Sequence, residues 1–184
     1  MTATAWWLTA AGCFSASQMA ALQVPANFAK SPSLDSKQVW RVAVFPPAEQ
    51  ADVTEPASSA LYDYAGMVLM RTGRFSLVDR SAVDKLLAEQ QFSYTGVVDP
   101  GTAARLGKLL GAEAVMIINI TKVRHDPFWD DSPEQRDAEL QVKIVSVETG
   151  EVLYSAVGQG SNFEGAAGAL RMALETALYP LSRK

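Results

Sequence analysis

At 184 residues the chain is long enough for one domain with a sizeable core and too short for two comfortable ones. Hydrophobic residues make up 48% and charged residues 20%, the balance of a folded globular chain, and a formal net charge of −4 gives no electrostatic footprint for nucleic acid. One histidine and one cysteine exclude an intramolecular disulfide and any metal centre built on several His and Cys ligands.

The uncharged apolar run from Ala3 to Gly12 (ATAWWLTAAG) is too short to cross ~30 Å of hydrocarbon as a helix, but it has the length of a signal-peptide core. The sole cysteine closes it, in Ala10-Ala11-Gly12-Cys13. That arrangement resembles the lipobox of bacterial lipoproteins, whose cysteine is acylated after cleavage, with Ala10 where leucine is usual. Two alternatives stand beside it: cleavage after Ser15-Ala16-Ser17 with Cys13 discarded, or a cytosolic chain with an irrelevant tail. Residues 1–17 are therefore read as a signal and lipobox region. Residues 18–37 mix Ser, Ala, Gln, Pro, Asn and Lys without sustained periodicity and are expected to form a flexible tether. The folded domain is expected over 38–184.

Gln38 to Phe45 is a β-branched and aromatic run stopped by Pro46-Pro47, which predicts a strand. Ala57, Ala60, Leu61, Tyr64, Val68 and Leu69 recur at helical spacing, with Thr54 as N-cap and Gly73 past the end. A short strand follows at Phe75 to Val78. Ser81-Ala-Val-Asp84 reads as a capping-box-like start for a helix burying Val83, Leu86 and Leu87. Asp99-Pro100 supplies an N-cap and an N1 proline for a third helix, which stops at Gly111. Ala114 to Ile120 (AVMIINI) is nearly continuous in apolar residues, as a strand covered on both faces must be. Leu140, Val142 and Ile144 alternate with polar residues, the pattern of a strand with one wet face. A turn at Glu148 to Glu151, with Gly150 suited to positive φ, leads into a partner strand at Val152 to Val157. Glu164 to Leu181 closes the chain as a helix. The fold class is α/β (α+β): a single domain with a mixed sheet and packed helices, in the order β-α-β-α-α-β-β-β-α.

The usual catalytic arrangements are missing from the sequence. His125, expected on a loop in solvent, has no second histidine to work with. Gly158-Gln-Gly160 lacks the third glycine of a dinucleotide fingerprint and is read as a flexible exit from the sheet. There is no Walker loop and no Gly-x-Ser-x-Gly elbow. No cofactor or metal is expected, and the chain is read as non-enzymatic. The segment Asp126-Pro-Phe-Trp-Asp-Asp131 sets Phe128 and Trp129 beside Asp130 and Asp131 in a connection between strands. Loop aromatics of this kind anchor partners or fold back over the sheet edge, and these four residues form the candidate contact site.

Taken in order, Arg74-Phe-Ser-Leu-Val-Asp-Arg80, the Leu-Leu-x-Glu-Gln of Leu86 to Gln90, Thr95-Gly-Val-Val-Asp-Pro100, Ala104-Arg-Leu-Gly-Lys-Leu-Leu-Gly-Ala112, Val115-Met-Ile-Ile118 and Val145-Ser-Val-Glu-Thr-Gly-Glu-Val-Leu153 resemble the curli-secretion-channel (CsgG/HfaB) family, which includes LpoB-like periplasmic lipoproteins. The resemblance extends over roughly residues 40 to 180. It implies a periplasmic domain, anchored to the outer membrane through Cys13, that binds and regulates or scaffolds envelope machinery: cell-wall synthases or secretion and assembly components. The alternative it implies is a homo-oligomeric ring subunit of an outer-membrane secretion complex. Two features separate this chain from a channel. Arg124 to Asp137, read as the connection between strands, carries Arg124, Asp126, Asp130, Asp131, Glu134, Arg136 and Asp137, and burying those charges in lipid would cost several kcal/mol. The loop from Pro46 to Pro56 has neither the tyrosine nor the Asn-Phe pair of the channel's constriction, so no pore residue is carried over.

Overall fold

The computed structural model describes residues 27–50, 58–90, 99–125 and 135–182. The fold begins earlier than the sequence pattern predicts. Strand β1 (Phe28–Lys30) is followed by a 3-10 turn over Pro32–Ser36, capped by Ser31, whose side chain accepts from Ser33 N at 3.2 Å. Leu34 at the centre of that turn is fully buried, and its carbonyl accepts from Trp40 Nε1 at 2.9 Å and from Arg74 Nη2 at 3.1 Å. A tether over 18–37 is thus corrected: from residue 28 onward the chain is pinned by a buried leucine and by pairing to the sheet.

Strands β2 (Trp40–Val44), β3 (Ala48–Glu49), β4 (Phe75–Leu77), β5 (Ala114–His125), β6 (Arg136–Ser146) and β7 (Val152–Asn162) complete a seven-stranded sheet among the described residues. Its order is β1-β7-β6-β5-β2-β4, with β3 also on β5. The β2–β4, β2–β5 and β3–β5 pairs are parallel, while β5–β6, β6–β7 and β1–β7 are antiparallel. Pro46 and Pro47 have no N–H to give a ladder and split what would be one strand into β2 and β3. Val44 pairs with Met116 but Ala48 with Asn119, so the prolines take up one extra residue as a bulge.

Helix α1 (Ser58–Arg71) and helix α4 (Ala166–Ser182) lie on one face of the sheet, and α2 (Arg80–Glu89) and α3 (Pro100–Leu109) on the other. The larger core joins Leu61, Ala65 and Leu69 of α1 and Leu170, Leu174 and Leu178 of α4 to Met116, Ile118, Leu140, Val142 and Ile144 of the sheet. The smaller core joins Val83, Leu87, Ala103 and Leu106 to Ala43, Phe45, Val115, Ile117 and Val145. Ala114 to Ile120 is buried throughout, as its unbroken apolar run requires. β6 alternates buried and half-buried residues until its last turn of sequence, where α3 covers the second face.

The predicted order of main elements holds, and several boundaries move. The cap of α2 is Asp79, accepting from Ser81 N at 2.9 Å, instead of Ser81 itself. Asp99 caps α3 through Thr102 N at 3.0 Å, and Gly73 and Gly111 have positive φ as expected past helix ends. Thr54 lies outside the described residues. His125 is the last residue of β5, not a loop residue, and Arg124, Arg136 and Asp137 stand in strands. Gly158 to Asn162 belongs to β7 and is no flexible exit.

Candidate interaction surfaces

The motif residues have identifiable structural work. Arg74 joins the N-terminal turn through Asp35 at 2.8 Å, while Lys30 meets the same carboxylate at 2.7 Å. Those two cations, Lys30 first, hold the Asp35 carboxyl below its ordinary range. Arg80 lies 4.3 Å over the Tyr62 ring and pairs with Asp63, tying the start of α2 to α1. Gly107 sits where α3 touches the sheet: a Cβ there would come within 2.5 Å of Val115 Cγ2 and 2.6 Å of Val147 Cγ2. The glycine lets α3 settle onto β5.

The same device recurs on the other face. A Cβ on Gly158 would stand 1.9 Å from the carbonyl oxygen of Ala173, and one on Gly160 would stand 2.4 Å from that of Ala169. Ala169, Ala173 and Ala177 form a stripe of small side chains along α4, so helix backbone rests nearly on strand backbone. Tyr154 fastens the contact by donating to Ala177 O at 2.5 Å, and burial pushes its phenol pKa up.

Beyond the reach of α2 and α3, the sheet shows a polar face. Lys122 and Arg124 of β5 stand beside Glu139 and Asp137 of β6, which in turn face Gln159 and Ser161 of β7. Gln159 Nε2 donates to Glu139 at 2.7 Å, Ser161 Oγ donates to Asp137 at 2.6 Å, and Thr121 Oγ1 reaches Glu139 at 3.1 Å. Asn119 lies where this face meets the smaller core. It is 2% exposed, and its Oδ1 has no hydrogen-bond partner.

A cleft of about 490 Å³ opens at the opposite end of the sheet, lined by Lys37, Trp40, Lys108, Glu113, Glu148 and Glu151 among others. Three of its charged residues are already engaged. Lys37 Nζ binds Glu113 at 2.8 Å and sits 4.8 Å over Trp40, and Ser31 Oγ donates to Glu151 at 2.5 Å. Lys37, then the Arg41 amide, hold the Glu113 carboxyl low. A ligand entering there would have to break pairs already made.

Of the residues expected to carry function, Cys13, Phe128, Trp129, Asp130 and Asp131 all lie outside the described residues. The ends of the second segment are fixed: His125 pairs with Arg136, so the connection leaves the sheet at the tip of the β5–β6 hairpin. No group of three or more His, Cys, Asp or Glu side chains suited to a metal occurs among the described residues. No described helix is long and apolar enough to cross a membrane. The sequence reading passed over the outer edge of β7, with exposed Phe163 and Met172 next to it; its signal is an eleven-residue strand with no charge and no proline.

The model of the family described as curli production assembly/transport component CsgG matches residues 26–126, 101 of the 184. No curated protein sequence matches the chain. Among solved structures, the PelC dodecamer from Paraburkholderia phytofirmans is similar with a TM-score of 0.54 at 17% identity, over 85% of this chain and 96% of that one. Lipoprotein GNA1162 from Neisseria meningitidis gives 0.54 at 14% identity, over 79% and 99%. The C-terminal domain of LpoB from Salmonella enterica gives 0.51 at 15% identity, over 67% and 83%. At such identities the likeness shows a shared fold.

Proposed function

The chain belongs to the family of the curli production assembly/transport component CsgG, and from that premise we propose that it is a non-enzymatic, lipid-anchored periplasmic protein that binds and regulates or scaffolds cell-envelope machinery. Cys13 carries the lipid and the anchor is in the outer membrane. The loop bearing Phe128, Trp129, Asp130 and Asp131 contacts the partner, a cell-wall synthase or a secretion component. The observation that carries this reading is the polarity of the β5–β7 region. A strand in a membrane barrel needs one apolar face turned to lipid. Here one face of β6 and β7 is packed under α4, and the other face of the sheet bears Asp137, Glu139 and Lys143 of β6 beside Lys122 and Arg124 of β5. Neither face of these described strands suits hydrocarbon, which supports a domain that works from the aqueous side. The fold it shares with lipoprotein GNA1162 is in keeping with the anchor.

Radiolabelled palmitate should enter the wild-type protein and not Cys13→Ser; an unlabelled wild type rejects the anchor. In vivo crosslinking followed by capture from membranes should recover one dominant partner, and Trp129→Ala should reduce it. Equal recovery from both proteins would remove the loop from the contact.

A second reading is a ring subunit of a secretion complex, favoured by one observation: the similar PelC structure is a dodecamer and is covered over 96% of its length. Mass measured in mild detergent separates the two, because a monomer excludes the ring.

A further inference from the structure

Sheets in soluble proteins protect their edges with charge, proline, bulges or a covering element. Among the described residues, β7 is protected over its first half only. β1 pairs with Tyr154, Ser155 and Ala156, and Asn27 O accepts from Val157 N at 2.9 Å. From there to Asn162 no described strand lies alongside. Backbone direction alternates along a strand, so the N–H and C=O of Gln159 and Ser161 point the same way as those of Val157, away from β6. Both residues are exposed. Next to them stand Phe163, 63% exposed, and Met172, 44% exposed, whose sulfur accepts from Asn162 Nδ2 at 3.6 Å.

We propose that this edge joins the same edge of a second copy, β7 against β7 in antiparallel register about a two-fold axis near Ser161. An isologous contact requires a self-complementary surface. Gln159 and Ser161 belong to the same alternate set of outward-facing backbone groups, so antiparallel self-pairing sets donor against acceptor at each. No like charges meet, because the strand (VLYSAVGQGSN) has none. Asn27 already occupies the place opposite Val157, so pairing starts at Gln159, which moves the axis towards Ser161. The two Phe163 and two Met172 side chains then flank the junction. The chain's own upstream segment fits the edge poorly: continuing the β1 register would set Pro25 opposite Gln159, where an N–H is needed. This inference stands apart from the envelope reading, and either can fail without the other.

The test uses the full chain in mild detergent with Cys13→Ser as background. Ser161→Cys should oxidise to a disulfide-linked dimer, since facing residues in an antiparallel pair have Cα atoms ~5.5 Å apart, within disulfide reach. Lys85→Cys, exposed on the far side of the sheet, should crosslink no faster than chance encounter. In sedimentation equilibrium, Ser161→Pro should weaken dimerisation at least about tenfold with an unchanged circular dichroism spectrum, because the amide it removes faces outward. Phe163→Glu should do the same without touching the backbone. A monomer at all concentrations overturns the proposal, and so does an assembly whose size Ser161→Pro and Phe163→Glu leave alone. A monomer in which the Ser161 amide resists hydrogen exchange overturns it too, and gives the edge to the chain's own upstream segment.

Discussion

The sheet has two halves built by different rules. Around β2, β4 and the first part of β5, helices cover both faces, and every residue from Ala114 to Ile118 is buried. Around β7 and the far parts of β5 and β6, α4 covers one face and the other is a lattice of Lys, Arg, Asp, Glu, Gln and Ser. The first half is a scaffold whose central strand, from Ala114 to Ile118, admits only apolar groups on either face. The second has surface to spare, and it carries the hairpin tip, the stretch of β7 edge with no described strand beside it, and the exposed Phe163. Both contacts proposed above fall in the half that gives up one of its two helical layers.

That contrast can be broken most forcefully with one substitution made in each half. Ile117→Lys puts an unpaired charge between sheet and α3 and should cost more than about 4 kcal/mol, enough to prevent folding. Gln141→Lys, on the polar face, should stay within about 0.5 kcal/mol, with both read from urea midpoints. Equal costs would erase the distinction. Gly158→Val should lose roughly 3 kcal/mol or more, because its side chain would collide with the Ala173 carbonyl and lift α4 from β7. Leu34→Ala should cost about 3 kcal/mol if the N-terminal turn is core, and almost nothing if it is a tether. The smallest effect is with pH. Asp35, Asp79 and Asp99 have lowered carboxyl pKa values, from Lys30, from the Ser81 hydroxyl and from Thr102 respectively. Each contributes stability that is present above the unfolded value near ~4 and is lost as pH falls through the folded one. The urea midpoint should therefore decline between about pH 5 and 3, and less steeply in Asp99→Ala.

What was legible in the sequence follows the same division. The sandwiched strand announced itself as AVMIINI, and β6 as an alternation, because burial on two faces or one leaves a period in the residues. Asp99-Pro100, Gly73, Gly111 and Gly150 were readable from local chemistry. β1 and the 3-10 turn were missed, although Ser31-Pro32 is a cap followed by an N1 proline and Leu34 is a lone apolar anchor; elements of three to five residues leave no period to detect. Gly158 and Gly160 were mistaken for slack, because a glycine that makes room for a helix and one that permits a bend look the same until the helix is in view. The candidate loop at 126–131 was legible only as composition, and the free edge of β7 only as an absence of charge.

The N-terminal turn also sets a distance. With Cys13 as the point of attachment, a leash ending at Asn27 has 14 residues, from 13 to 27, in place of the 24 that a leash ending at Lys37 would have. By contour length alone, that lowers the greatest possible span from about 85 Å to about 50 Å. If Cys13 carries the lipid proposed above, a partner must present its binding surface within that upper bound of the membrane.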